Sequence, residues 1–193
     1  MTPTLDIAAI YRPRNQQRVF RKLLDAMSRP GTIATLSPWA EPSSAHLAVL
    51  ATLADAEVTL ADADGLIDEA AWRFLDCRRG DAASARFVLA AGNHAPAADF
   101  APQLGTLTSP ELGATLILNV EGLGQSGSLY RLSGPGVAGH IEARLGTLHK
   151  AWIERRGAWN RFFPMGVDMI LADQDLVLAL PRTARLVETE VKP

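Results

Sequence analysis

The chain has 193 residues, 48% hydrophobic and 21% charged, with a net charge of −2. That length fits one domain, 1–193, able to bury a sizeable core, and that charge offers no whole-molecule attraction to nucleic acid or an anionic membrane. One cysteine, Cys77, excludes an internal disulfide, no basic N-terminal segment leads into an apolar core, and no apolar run approaches the ~18 residues of a membrane span, so a cytoplasmic protein is expected.

Residues 1–14 carry few core signals beyond Ile7, Ile10 and Tyr11, and Pro13 breaks them from the first helix, so they read as an N-terminal arm. Val19, Phe20, Leu23, Leu24 and Met27 then recur at a 3.6-residue period, which predicts a helix with one apolar face able to dock on a sheet. Pro30 and Gly31 end it, and TIATL reads as a strand. Ser43 or Ser44 can cap a helix to about Ala54 that is apolar nearly all round, hence buried. EVTLA is a short strand, Asp62, Asp64 and Gly65 form a turn, and IDEAAWRFL reads as a second amphipathic helix.

Ala85 to Ala90 is strand-like, and ATLILNV at 114–120 is the strongest strand, apolar enough for burial on both faces. Leu129 to Leu132 is another strand, and Thr147 to Arg156 reads as a helix with Gly157 just past its end. VDMILA and LVLAL, joined at Asp173 and Gln174, make a hairpin. Helices interleave with strands early and strands dominate late. The expected fold is an α/β sandwich built on a mixed sheet.

Several patterns look like chemistry. Gly122, Gly124 and Gly127 spell G-x-G-x-x-G, but the dinucleotide fingerprint requires a helix next, and SLYRL alternates like a strand; a glycine-rich hairpin loop is the reading. Asp62-Ala-Asp64-Gly65 lacks the remaining ligands of a calcium loop. The four histidines show no metal-ligand spacing, so no metal site is expected, and His46 reads as a hydrogen-bonded core residue. Sixteen arginines against three lysines read as compositional bias, with phosphate or carboxylate recognition the sharper alternative.

Ser133-Gly-Pro-Gly136 and Phe163-Pro-Met-Gly166 place flexible residues beside strands, where N–H groups of Gly134, Gly136 and Gly166 could form an anion nest. Arg131 precedes the first loop, Asp168 comes after the second, and Arg182 comes directly after Pro181. On spacing alone these are turns with solvated or salt-bridged charges. If the side chains converge, they suit a phosphate-bearing ligand gripped bidentately by arginine.

Four segments in order, FRKLLDAMSRPG at 20–31, RLSGPG at 131–136, FPMGVD at 163–168 and LPRTARL at 180–186, resemble the PhnH subunits of bacterial carbon–phosphorus lyase systems. LATLADAEVTL at 50–60 fits as well; Ala184 stands where that family more often has a second threonine. The resemblance implies a fold similar to the large domain of pyridoxal-phosphate-dependent transferases, without the cofactor. The lysines agree, since Lys22, Lys150 and Lys192 fall on helices or in the tail, away from strand-end loops where a Schiff base forms.

The resemblance further implies a homodimeric subunit working with PhnG-, PhnI- and PhnJ-type partners, in a system that replaces the purine of ATP by an alkylphosphonate at the ribose C1′. Arg21, Arg131, Asp168 and Arg182 are then the first ligand contacts to test, with the catalytic residues unassigned. The alternative reading is a stand-alone enzyme that binds a sugar phosphate or nucleotide through those arginines.

Overall fold

The computed structural model describes residues 7–40 and 44–189. The start of the expected arm, Pro42, the alternative cap Ser43 and Lys192 lie outside the described residues. A four-residue helix, α1 (Ile7–Ile10), leads into α2 (Pro13–Ser28). Pro13 opens α2 rather than closing the segment before it, since the first helical position needs no N–H donor. Ile10 is buried, and Tyr11 stacks on Phe74 with ring centroids 5.4 Å apart.

Val19, Leu23 and Ala26 of α2 are buried, whereas Phe20 and Leu24 are 48% and 59% exposed. The apolar arc expected for this helix is therefore wider than the surface that receives it, and only half of it docks. After the turn at Pro30 and Gly31 come β1 (Ile33–Thr35), α3 (Ala45–Leu53) and β2 (Thr59–Asp62). The helix expected from IDEAAWRFL is one turn only, α4 (Glu69–Trp72), with the Asp68 side chain accepting from Ala71 N at 2.7 Å. Leu75 reaches the core from the turns beyond α4.

The strands β3 (Arg78–Arg79), β4 (Phe87–Ala91), β5 (Thr115–Asn119), β8 (Asp168–Asp173) and β9 (Leu176–Leu180) join β1 and β2 in a seven-stranded sheet ordered β1-β9-β8-β5-β4-β2-β3. From β8 to β3 the pairing is parallel; β9 and β1 are antiparallel. The predicted hairpin is β8–β9, turning at Gln174 with φ 44°.

Alternate residues of the central strands feed two cores. Leu60, Leu89, Ile117 and Ile170 meet α2 and α3 on one face. Val88, Leu116, Leu118, Met169 and Leu171 point to the other, where β6 (Leu129–Ser133), β7 (Ile141–Arg144), β10 (Arg185–Thr189) and α5 (Lys150–Trp159) pack. β10, β6 and β7 form a separate antiparallel sheet in that order. The architecture is thus α/β with a mixed sheet, helices on one face and a small sheet plus α5 on the other.

Two short strands, β7 and β10, escape the sequence pattern because each is half-exposed and has few buried side chains to mark a period. The glycine run before β6 is a chain reversal: Gly122, Gly124 and Gly127 all have positive φ, and a Cβ on Gly127 would collide with the Gly146 carbonyl. The element directly after it is the strand β6, not a helix. Helix α5 runs through Gly157, where a side chain would meet open space, and ends three residues later than expected.

His46, 8% exposed on α3, joins the helix layer to β5: its Nδ1 lies 3.2 Å from Asn119 Oδ1 and its Nε2 3.1 Å from Ser44 Oγ. Burial lowers its pKa below the ordinary 6.5, while the Asn119 contact and Asp62 oppose the shift. In the window between the folded value and 6.5 the unfolded chain binds the extra proton, so stability falls as pH drops below about 6.5. Thermal melts from pH 7.5 to 5 are expected to show this decline. The slope should flatten in His46→Gln, and an unchanged slope would mean the imidazole plays no part.

Candidate functional site

The C-terminal end of α2, the β6–β7 turn and the loop from β9 to β10 are brought together at one end of the second core. Glycines mark where their backbones pass closest. A Cβ on Gly136 (φ 83°) would strike the Ser28 carbonyl, and one on Gly134 (φ 124°) the Thr183 carbonyl at 2.9 Å. Gly31, with φ 87°, packs under Leu132 and Ile141. Left-handed φ and contact of this kind both exclude side chains, so glycine is required here by geometry.

Past α5, the Asn160 side chain donates to Val167 O at 3.1 Å and accepts from Val167 N at 2.7 Å, folding the 163–168 loop back on the helix end. The loop delivers Asp168 to the start of β8. There Arg182 Nη2 donates to Asp168 Oδ2 at 2.7 Å, its Nε reaches both carboxylate oxygens, and its backbone N–H donates to Oδ1 at 2.7 Å. Arg182 Nη1 donates to the carbonyls of Pro110 at 2.8 Å and Pro164 at 3.0 Å. The two side chains are only 13% and 16% exposed. Arg182 thus clamps three chain segments and spends its donors within the protein.

Beside this clamp opens a cleft of about 940 Å³. Its walls are Ser133, Gly134 and Pro135 from the β6 end, Arg156 and Asn160 from α5, and Thr183 to Leu186 leading into β10, with Phe163 at the rim. Arg156 is 5% exposed. Its Nη2 donates to the carbonyls of Pro181 and Ala184, its Nε has no partner, and no carboxylate pairs with it among the described residues. Burial pulls its pKa down to about 10, opposed by the charge of Asp168, so it is a cation at neutral pH.

Three of the four ordered segments therefore wall or brace a single cleft, and the fourth, at the end of α2, supports it through Gly136. The family described as bacterial phosphonate metabolism protein (PhnH) matches residues 10–187, nearly the whole chain. The chain belongs to the PhnH family. It is 38% identical over 177 residues, 92% of this chain and 88% of the relative, to a protein of Stutzerimonas stutzeri named as the putative C-P lyase subunit protein HtxG. It is 32% identical over 181 residues, 88% of this chain and 89% of the relative, to the alpha-D-ribose 1-methylphosphonate 5-triphosphate synthase subunit PhnH of Rhizobium meliloti (strain 1021).

Within this PhnH-family fold, the four residues singled out from sequence divide into two groups. Asp168 and Arg182 meet. Arg21 is exposed on α2, and Arg131 is exposed on β6, where its Nη2 lies 3.3 Å from Glu142 Oε1. Arg131 points away from the core because its neighbours Tyr130 and Leu132 point into it. Of the nest glycines, Gly134 lines the cleft, Gly136 abuts α2, and the Gly166 amide donates to Leu104 O at 2.9 Å.

Arg156 is not among the residues that spacing and motif single out. A signal existed: in KAWIERRGAW, Trp152 and Arg156 are four apart and share a helix face, so a buried indole predicts a buried guanidinium one turn on. The ion pairs Arg29–Asp25, Arg79–Glu69 and Lys150–Glu154 are exposed surface pairs of small energetic weight. Among the described residues no group of three histidine, cysteine or carboxylate side chains could hold a metal ion. No helix of the described residues is long and apolar enough to cross a membrane.

Proposed function

We propose that this chain is a subunit of a carbon–phosphorus lyase core assembly in phosphonate use, supporting transfer of an alkylphosphonate to the ribose C1′ of ATP with release of adenine. The observation that carries the reading is the family match across residues 10–187, joined by a relative of 32% identity whose name specifies that synthase. The chain acts as one domain, as a homodimer in the cytoplasm, with PhnG-, PhnI- and PhnJ-type partners. Its exposed apolar side chains on α2, Phe20 and Leu24, support a life in an assembly, since they form a stripe the other described residues do not cover. The fold reading that goes with it is the large domain of pyridoxal-phosphate-dependent transferases; the mixed seven-stranded sheet supports it, and the described lysines, Lys22 and Lys150, lie on helices.

Tagged chain recovered from cells growing on a phosphonate as the phosphorus source is expected to bring down the three partner types in a fixed ratio. Recovery of the chain alone, from cells that express those partners, overturns the assembly reading. Turnover of a nucleotide by the purified chain would favour the stand-alone enzyme.

A further inference from the structure

Helix α2 and its flanks concentrate positive charge that the rest of the chain lacks. Six of the nineteen lysines and arginines lie from Arg12 to Arg29, against one acid, Asp25; elsewhere thirteen cations meet twenty acids. Asp25 is taken by Arg29, and the Arg18 guanidinium lies over the Trp39 ring at 5.4 Å. Arg12, Arg14, Arg21 and Lys22 form no ion pair among the described residues. The first turn holds no acid, so Arg12 and Arg14 oppose the helix dipole. Arg14 and Arg18, like Arg18 and Lys22, are four residues apart, a spacing at which like charges repel. The helix is charged against its own stability.

This charge borders uncovered apolar surface. Arg14, Gln17, Arg21, Leu24 and Ser28, alternately three and four residues apart, share one helix face, are all exposed, and are adjoined by exposed Phe20. Behind the strip Val19, Leu23 and Ala26 are buried, Gln16 Nε2 donates to Ala51 O at 2.6 Å, and Gly136 passes close to the Ser28 carbonyl. The strip is the outer side of a firmly seated helix.

We propose that this strip docks an acidic protein surface, that of a partner subunit presenting carboxylates to Arg14 and Arg21 and apolar side chains to Phe20 and Leu24. The inference rests on the assembly reading and names the chemistry of one contact within it. Carboxylates there relieve the repulsion along α2, and the arginine fork pairs with them bidentately. A second copy is not the occupant, since a two-fold contact of α2 on α2 sets the same cations against each other. An extended polyanion is disfavoured by the excess of acids over the rest of the chain.

The test is recovery of co-expressed PhnG-, PhnI- and PhnJ-type subunits on the tagged full chain. Arg14→Glu combined with Arg21→Glu is expected to weaken partner binding about tenfold or more. Its melting temperature should hold or rise, because repulsion along α2 is relieved and an acid now faces the helix N-terminus. Leu24→Ser should weaken binding about three- to tenfold. Arg73→Glu, an equal change of charge at an exposed position beyond α4, should leave it as it is. Arg21→Lys keeps the charge and puts an amine on the strip, so carbodiimide is expected to join residue 21 to an aspartate or glutamate of a partner.

Full partner recovery by the charge-reversed variant overturns this inference and leaves the assembly reading standing, whereas a parent chain that recovers no partner overturns both. Loss of a dimer on charge reversal would seat a second copy on the strip. Partner loss on nuclease treatment would seat nucleic acid there, and parent binding to phosphatidylserine vesicles, abolished by the reversal, would seat a membrane. Each of these three results also overturns the proposal.

Discussion

Replacing Arg182 by alanine is expected to cost about 3–5 kcal/mol of folding stability, the range for breaking one side of a buried ion pair. The size reflects what is left behind. Asp168, at 16% side-chain exposure, would keep one hydrogen bond, from the residue-182 backbone N–H, with Arg156 and Arg86 acting on it only through space. The Pro164 carbonyl would lose its donor, and the Pro110 carbonyl would keep only Gly113 N–H. Arg182→Lys keeps the charge but cannot fork to both carboxylate oxygens and two carbonyls at once, so an intermediate loss of about 1–3 kcal/mol is expected.

The double variant Arg182→Ala with Asp168→Ala should be more stable than the sum of the singles predicts, because the carboxylate no longer lacks Arg182, although Arg156 and Arg86 lose the charge of Asp168. Urea unfolding with an unchanged slope checks all three. A loss under about 1 kcal/mol for Arg182→Ala would make the pair an ordinary surface bridge, and the clamp would have to be abandoned.

The difference between what the sequence discloses and what it hides is physical. Strands β4, β5, β8 and β9 are legible because both their faces are buried, which forces continuous apolar runs such as ATLILN. Helix α2 is legible as a helix but misleads about its partner, since periodicity reports an apolar arc and not how much of it a neighbour covers; Phe20 and Leu24 satisfy the pattern and remain outside. Asp168 and Arg182 are legible as interesting because each adjoins a turn of proline and glycine or proline alone. Their mutual contact at 2.7 Å depends on β8 and β9 pairing antiparallel with Met169 opposite Leu180.

Arg156 is hidden for the opposite reason. A guanidinium on a helix reads as a solvated face by default, and only Trp152 one turn earlier points to burial. The motif segments were legible as a set, but what they share is spatial: the Gly136–Ser28 and Gly134–Thr183 approaches join residues far apart along the chain. No local pattern encodes such distances, so the cleft emerges only when the two cores are assembled.

The position of Arg156 depends in turn on how α5 is anchored, which makes Trp152 the second residue of large expected effect. The indole is 1% exposed, its Nε1 donates to His94 O at 2.9 Å, and Phe100 meets it edge-on at 5.3 Å between centroids. Trp152→Ala is expected to cost about 3–5 kcal/mol through the cavity left in the second core. Trp152→Phe retains an aromatic ring against Phe100 but surrenders the hydrogen bond and some volume, for about 1–2 kcal/mol.

The pair separates anchoring from filling. If α5 is held by the ring as a whole, the phenylalanine variant keeps the helix in register and its α5 amides stay as protected against hydrogen exchange as the parent's, relative to global stability. If the His94 contact sets the register, α5 protection falls in the phenylalanine variant even though most of the stability survives. Equal stability losses in the two variants would mean that the cavity relaxes fully, and Trp152 would no longer count as the anchor that carries Arg156 into the cleft.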